Sequence, residues 1–88
     1  MHIRTWHVEL FVDEEGDRTV ARAVLHTEAP LHVEGHGETV RNPGDRDVPE
    51  IGDELAVCRA LTGLAQDLFE ASVTDVEDNV HAAPTFRS

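Results

Sequence analysis

His32, Glu34, His36 and Glu38 recur at every second position, a spacing that lines them along one face of an extended strand. Imidazole nitrogens and carboxylate oxygens are the ligands that hold Zn²⁺ and related divalent ions, and His7, Glu9 and His26 can join them if neighbouring segments pair alongside. Side chains two apart on a strand are separated by about 7 Å at Cα, so an open sheet face offers little preorganisation. His32, Glu34 and His36 are therefore expected to form a solvated polar surface, with no bound metal or other cofactor. Cys58 is the only cysteine. A nucleophilic thiolate needs a base and an electropositive setting, whereas Cys58 falls within an apolar helical stripe, where a thiol behaves as a small hydrophobe. The sequence has no Gly-rich phosphate loop, no nucleophile elbow and no metalloprotease His pair. Nothing here predicts a catalytic residue, and the expected protein is not an enzyme.

The elements that carry these residues must fit one small domain. A chain of 88 residues lies near the lower end of what a single core stabilises unaided. One cysteine excludes an internal disulfide and points to a reducing compartment. The help such a domain needs is most simply a second copy of itself. The N-terminus lacks the apolar stretch of a signal peptide, and no run approaches the roughly 18 apolar residues of a membrane span. A cytoplasmic protein without membrane contact is expected. The balance of 18 acidic against 7 basic residues gives a net charge of −11, which becomes −5 even with all six histidines protonated. Nucleic-acid binders place Lys and Arg against phosphate, so direct nucleic-acid binding is disfavoured. All the basic residues are arginine, which fits a high-GC codon bias better than it signals a function.

Apolar alternation predicts strands at about 5–13, 19–27 and 31–41. Trp6, Val8, Leu10 and Val12 share one face of the first, Ala21, Ala23 and Leu25 one face of the second. Leu31, Val33, Gly35 and Gly37 share one face of the third. The short connections, around Gly16 and around Pro30, imply an antiparallel meander. Glycine weakens a strand unless another backbone must come close, so Gly35 and Gly37, with Ala21 and Ala23 beside them, predict a shallow trough for a helix.

That helix is expected at about 49–80. Pro49 suits its first turn, Asp47 and Glu50 have capping-box spacing, and Glu50, Asp53 and Glu54 suit the positive end of its dipole. His81 is placed to complement the opposite end. The tail, 82–88, is expected to be flexible. At 100° per residue, Ile51, Leu55, Cys58, Thr62, Ala65, Phe69, Val73, Val76 and Val80 form a stripe assigned to the sheet. Gly52 and Gly63 are assigned to the polar side. A second stripe of Val57, Leu61, Leu64 and Leu68 makes the apolar arc wider than three strands can bury. It is therefore assigned to a homodimer interface. Between sheet and helix, Asp45, Arg46 and Asp47 are read as a structural linker, and Arg41, Arg46 and Arg59 as the arginines nearest to a basic patch.

The run from Asn42 to Leu61, NPGDRDVPEIGDELAVCRAL, is the most distinctive stretch of the chain. With Gly35 and Gly37 before it, its Asn42, Pro43, Asp45, Arg46, Pro49, Glu50, Ile51, Gly52, Asp53, Glu54 and Leu55 resemble a family of small actinobacterial proteins of unknown function. Trp6-His7-Val8-Glu9 and Thr19-Val20-Ala21-Arg22-Ala23 extend the resemblance over nearly the whole chain. It implies an α+β fold, a three-stranded antiparallel meander on one long C-terminal helix, like the double-stranded-RNA-binding domain and homodimeric. Some members are linked to hypoxia or dormancy, and some have been compared in shape with ribosome hibernation factors. The resemblance implies no established activity, and the expected function is the binding of another macromolecule, a protein or the ribosome, in a stress setting. Glu34, His36 and Glu38 stand where the family usually has apolar residues, and Val40 where an Arg is usual. These departures make the outer sheet face more acidic and argue against RNA contact.

Overall fold

The computed structural model describes residues 1–42 and 49–82. Expectations for Pro43, Asp45, Arg46, Asp47 and the segment 83–88, and for the side chains of Pro49, Val80 and His81, lie outside the described residues. The chain forms β1 (His7–Glu15), β2 (Arg18–His26), β3 (Glu34–Val40) and α1 (Pro49–Ala82). The sheet has the order β1-β2-β3 with both pairs antiparallel, the meander expected from the short connections. β1 runs past the expected turn: Glu14 pairs with Thr19 and Glu15 with Arg18. The reversal is thereby compressed into Gly16-Asp17, and Gly16 takes φ +63°, a left-handed value that costs glycine little. β3 starts three residues later than expected, because Leu31 to Val33 approach it through a tight turn, with Leu31 N donating to Ala29 O at 2.7 Å.

The helix lies on the trough. It covers β3 and β2 and barely reaches β1. Its axis runs antiparallel to β3, since Gly52 O accepts from Thr39 Oγ1 at 3.1 Å near one end and Asp67 Oδ2 accepts from Glu34 N at 3.2 Å near the other. The face it buries is not the expected one. Ala56, Ala60 and Leu64 are buried against Ala21, Ala23, Leu25 and Val33, with Val57, Leu68 and Ala71 packed around them. Gly52 and Gly63, assigned to the polar side, face the sheet instead, Gly52 against Thr19 and Thr39 and Gly63 against Gly35 and His36. Ile51, Leu55, Cys58, Thr62, Ala65, Phe69, Val73 and Val76 point away from the sheet and are exposed.

Steric fit explains the reversal. Two glycines in β3 let the helix backbone descend onto the strand, and only Gly and Ala leave room at the contact. Phe69 or Leu55 on that face would hold the helix off the sheet and leave a void above Gly35 and Gly37. Smallness therefore selected the buried face, and bulk was left outside. One consequence is a core built largely of alanine, in which Val33 is the largest fully buried side chain among the described residues.

Candidate functional site

Each face of the molecule presents a different surface. On the outer sheet face, the alternation of β2 and β3 sets Arg18, Arg22, Glu34, His36 and Glu38 side by side, as the strand period requires. Glu34 is their hub. Its carboxylate meets His36 Nε2 at 3.0 Å, His32 Nε2 at 3.3 Å and Arg22 Nη1 at 3.6 Å. The hydrogen bond from His36 holds the Glu34 carboxyl below its ordinary value of 4.5, partly opposed by desolvation and aided by the charges of His32, His36 and Arg22. Arg22 also stacks over the Phe11 ring at 4.6 Å, His26 Nε2 meets Glu9 Oε1 at 2.9 Å, and Arg18 pairs with Glu38.

The sequence reading of His32, Glu34 and His36 as neighbours on one face is therefore realised, in a polar network closed on itself. Among the described residues no group of three or more His, Cys, Asp or Glu is arranged to hold a metal ion. Both imidazoles spend their Nε2 atoms on one carboxylate, and an arginine already supplies that carboxylate with positive charge. A depressed carboxyl pKa stabilises the fold above the unfolded value and ceases to do so as pH falls through the folded one. We therefore expect Glu34→Gln to narrow the gap to wild type as pH is lowered through 4.5 and to close it in stronger acid. Thermal melts of both proteins between pH 3 and 7 check this.

Of the expected interface stripe, the fold separates the members. Leu64 is 6% exposed and belongs to the protomer's own core, Val57 and Leu68 are half-buried against that core, and Leu61 alone is exposed. The stripe is thus corrected to one flank of a sheet-packed helix. Arg59 does not extend a basic patch: its Nη1 donates to Glu38 O at 2.6 Å and ties the helix to β3. Cys58 is exposed on the outer helix face, not in the sheet contact. Asn42 is exposed at the end of the described sheet segment. Asp53 Oδ1 is buried without a partner among the described residues.

Sequence reasoning missed the uncovered inner face of β1. Val8, Leu10 and Val12 lie opposite Leu25, Ala23 and Ala21, on the side of the sheet that carries the helix, yet all three are more than 40% exposed. The signal was available: a single helix is about 10 Å wide with its side chains, and three strands at about 4.8 Å spacing are wider than its contact strip. On the helix, Phe69 is 68% and Val76 63% exposed. No helix among the described residues is long and apolar enough to cross a membrane.

These features define a class: a small α+β protein of β-β-β-α order whose single helix is seated on glycine. The chain belongs to the Rv2632c-like family, which it matches over residues 4–85. It is 40% identical over 79 residues to the uncharacterized protein MT1780 of Mycobacterium tuberculosis, covering 90% of this chain and 83% of that one. It is 37% identical over 82 residues to the uncharacterized protein Rv2632c of the H37Rv strain, covering 93% and 87%. The crystal structure of Rv2632c superposes with a TM-score of 0.82 at 36% identity, over 92% of this chain and 95% of that one. The resemblance to an actinobacterial family of small proteins is thereby confirmed.

Proposed function

We propose that this protein is a non-enzymatic homodimer of the cytoplasm that acts by binding another macromolecule, in the stress or dormancy setting to which the family resemblance points. The observation that carries the reading is the inverted distribution of apolar bulk. The core holds mainly alanine, while Trp6, Leu10, Phe11, Leu55 and Phe69 remain on the surface. A domain of this size with so little apolar volume inside gains stability by covering that surface with protein. The carboxylate-rich outer sheet face and the net charge of −11 favour a protein partner over RNA.

Size-exclusion chromatography with light scattering should give twice the 9.7 kDa chain mass at micromolar concentration. Sucrose-gradient sedimentation of host lysate, from growing and oxygen-limited cultures, should leave the protein above the ribosomal fractions. Salt-sensitive migration with ribosomal particles would replace the protein partner with a ribosomal one. A monomer at every concentration would remove the homodimer from the proposal.

A further inference from the structure

The two edges of the sheet are treated differently. On β3, Asp67 accepts from Glu34 N and Arg59 donates to Glu38 O, so helix side chains occupy the free edge. On β1, no side chain among the described residues does the same between His7 and Asp13. Among the described residues β1 pairs only with β2, and all of its residues are exposed. The strand has neither proline nor lysine, and its carboxylates Glu9 and Asp13 lie on the outer face, so none of Val8, Leu10 and Val12 on the inner face is charged. Above it lies the uncovered inner face of Val8, Leu10 and Val12. The flank of the helix opposite Arg59, where Leu61 sits exposed beside Val57 and Leu68, walls that face.

We propose that β1 pairs antiparallel with β1 of a second copy, with Leu10 opposite Leu10, making a six-stranded sheet that carries both helices on one face. This rests on the homodimer reading above and specifies its interface. The register follows from parity and charge. A two-fold axis normal to the sheet keeps facing residues on the same side, so it must pass through a residue. Centred on Glu9, it would set Glu9 against Glu9 of the second copy; centred on Phe11, it would set Glu9 against Asp13 twice. Like charges directly opposite destabilise a ladder. Centred on Val8, it would leave only His7 to Glu9 paired within the strand, and centred on Val12 it would set Leu10 against Glu14 and Glu9 against Glu15. Centred on Leu10, it pairs Val8 with Val12 twice on the inner face and His7 with Asp13 twice on the outer face. That register alone combines a long overlap with apolar matching on the inner face and no like charges face to face. The inner faces of both β1 strands then line one trough between the two helix flanks.

Disulfide trapping in a Cys58→Ser background tests the register. Facing residues of antiparallel strands lie about 4.5–5.5 Å apart at Cα, within disulfide range, whereas Val12 and its own copy would be about 13 Å apart along the strands. Leu10→Cys should oxidise nearly completely to a covalent dimer and Val12→Cys should not, while Val8→Cys mixed with Val12→Cys should. Leu10→Arg, at a position exposed in the protomer, should keep the fold by circular dichroism. It should also weaken the dimer at least about tenfold by setting like charges face to face. A wild-type monomer overturns both this interface and the homodimer reading. A wild-type dimer that survives Leu10→Arg, or that is lost on Phe69→Glu with Val73→Glu, overturns the β1 interface and leaves the homodimer standing. Trapping through Val8→Cys or Val12→Cys alone overturns the register.

Discussion

Gly35→Ala and Gly37→Ala should each destabilise the fold by more than about 3 kcal/mol, and the double variant should be unfolded at 37 °C. A Cβ at Gly35 would collide with Ala60 O and Leu64 N and lie 2.8 Å from Gly63 C. A Cβ at Gly37 would collide with Ala56 O and lie 2.6 Å from Ala60 N and 2.7 Å from Arg59 Cβ. Most of these obstacles are backbone of one helix, so no rotamer change relieves them. The helix must lift off the strand, and lifting it opens voids beside Ala21 and Ala23 and breaks the hydrogen bonds from Glu34 and to Glu38. A domain of this size has roughly 4–13 kcal/mol of stability in total, so one methyl group consumes a large share of it. Thermal melts should show each single variant more than about 12 °C below wild type. Ala at Gly16, where nothing lies within reach and only the positive φ resists, should cost about 1 kcal/mol. If Gly35→Ala costs no more than Gly16→Ala, the close approach of helix to β3 is wrong.

Leu64→Ala should cost about 2–5 kcal/mol, the range for removing a buried leucine and leaving a cavity. Leu64 is the largest helix residue in the buried cluster, and four of the other six members, Ala21, Ala23, Ala56 and Ala60, have no side-chain length with which to fill the space. The cost should therefore fall in the upper half of that range. Phe69→Ala, though it removes a larger side chain, should change protomer stability by no more than about 0.5 kcal/mol, because Phe69 is mostly in solvent. Chemical denaturation at a fixed low protein concentration compares the two. The opposite ranking would restore the helix face read from the sequence. A charge at Leu64 would unfold the protomer itself, so only Leu61 of that stripe reports on an interface.

The outline of this fold was legible along the chain. Alternation around Val8 and Leu10, small residues at Ala21 and Ala23, and Pro49 ahead of a long apolar period placed three strands and a helix with the correct pairing sense. Gly35 and Gly37 announced a trough and a close helix. The outer-face cluster of His32, Glu34 and His36 followed from the strand period alone. What could not be read was the rotation of the helix. Two apolar stripes were available, and the longer one, Ile51 through Val80, is the one assigned to the sheet. The trough had already stated a different criterion, since a surface of glycine and alanine admits only Gly52, Ala56, Ala60 and Gly63 at its closest points.

By itself the sequence determined the elements, their order and the chemistry of the outer sheet face, because those depend on local period, turn residues and backbone freedom. The tertiary structure alone decided which helix face is buried, that Arg59 and Asp67 close the β3 edge and that no described residue covers the inner face of β1. Those outcomes depend on the distance between helix and sheet, which steric fit between non-local residues sets and no local pattern encodes.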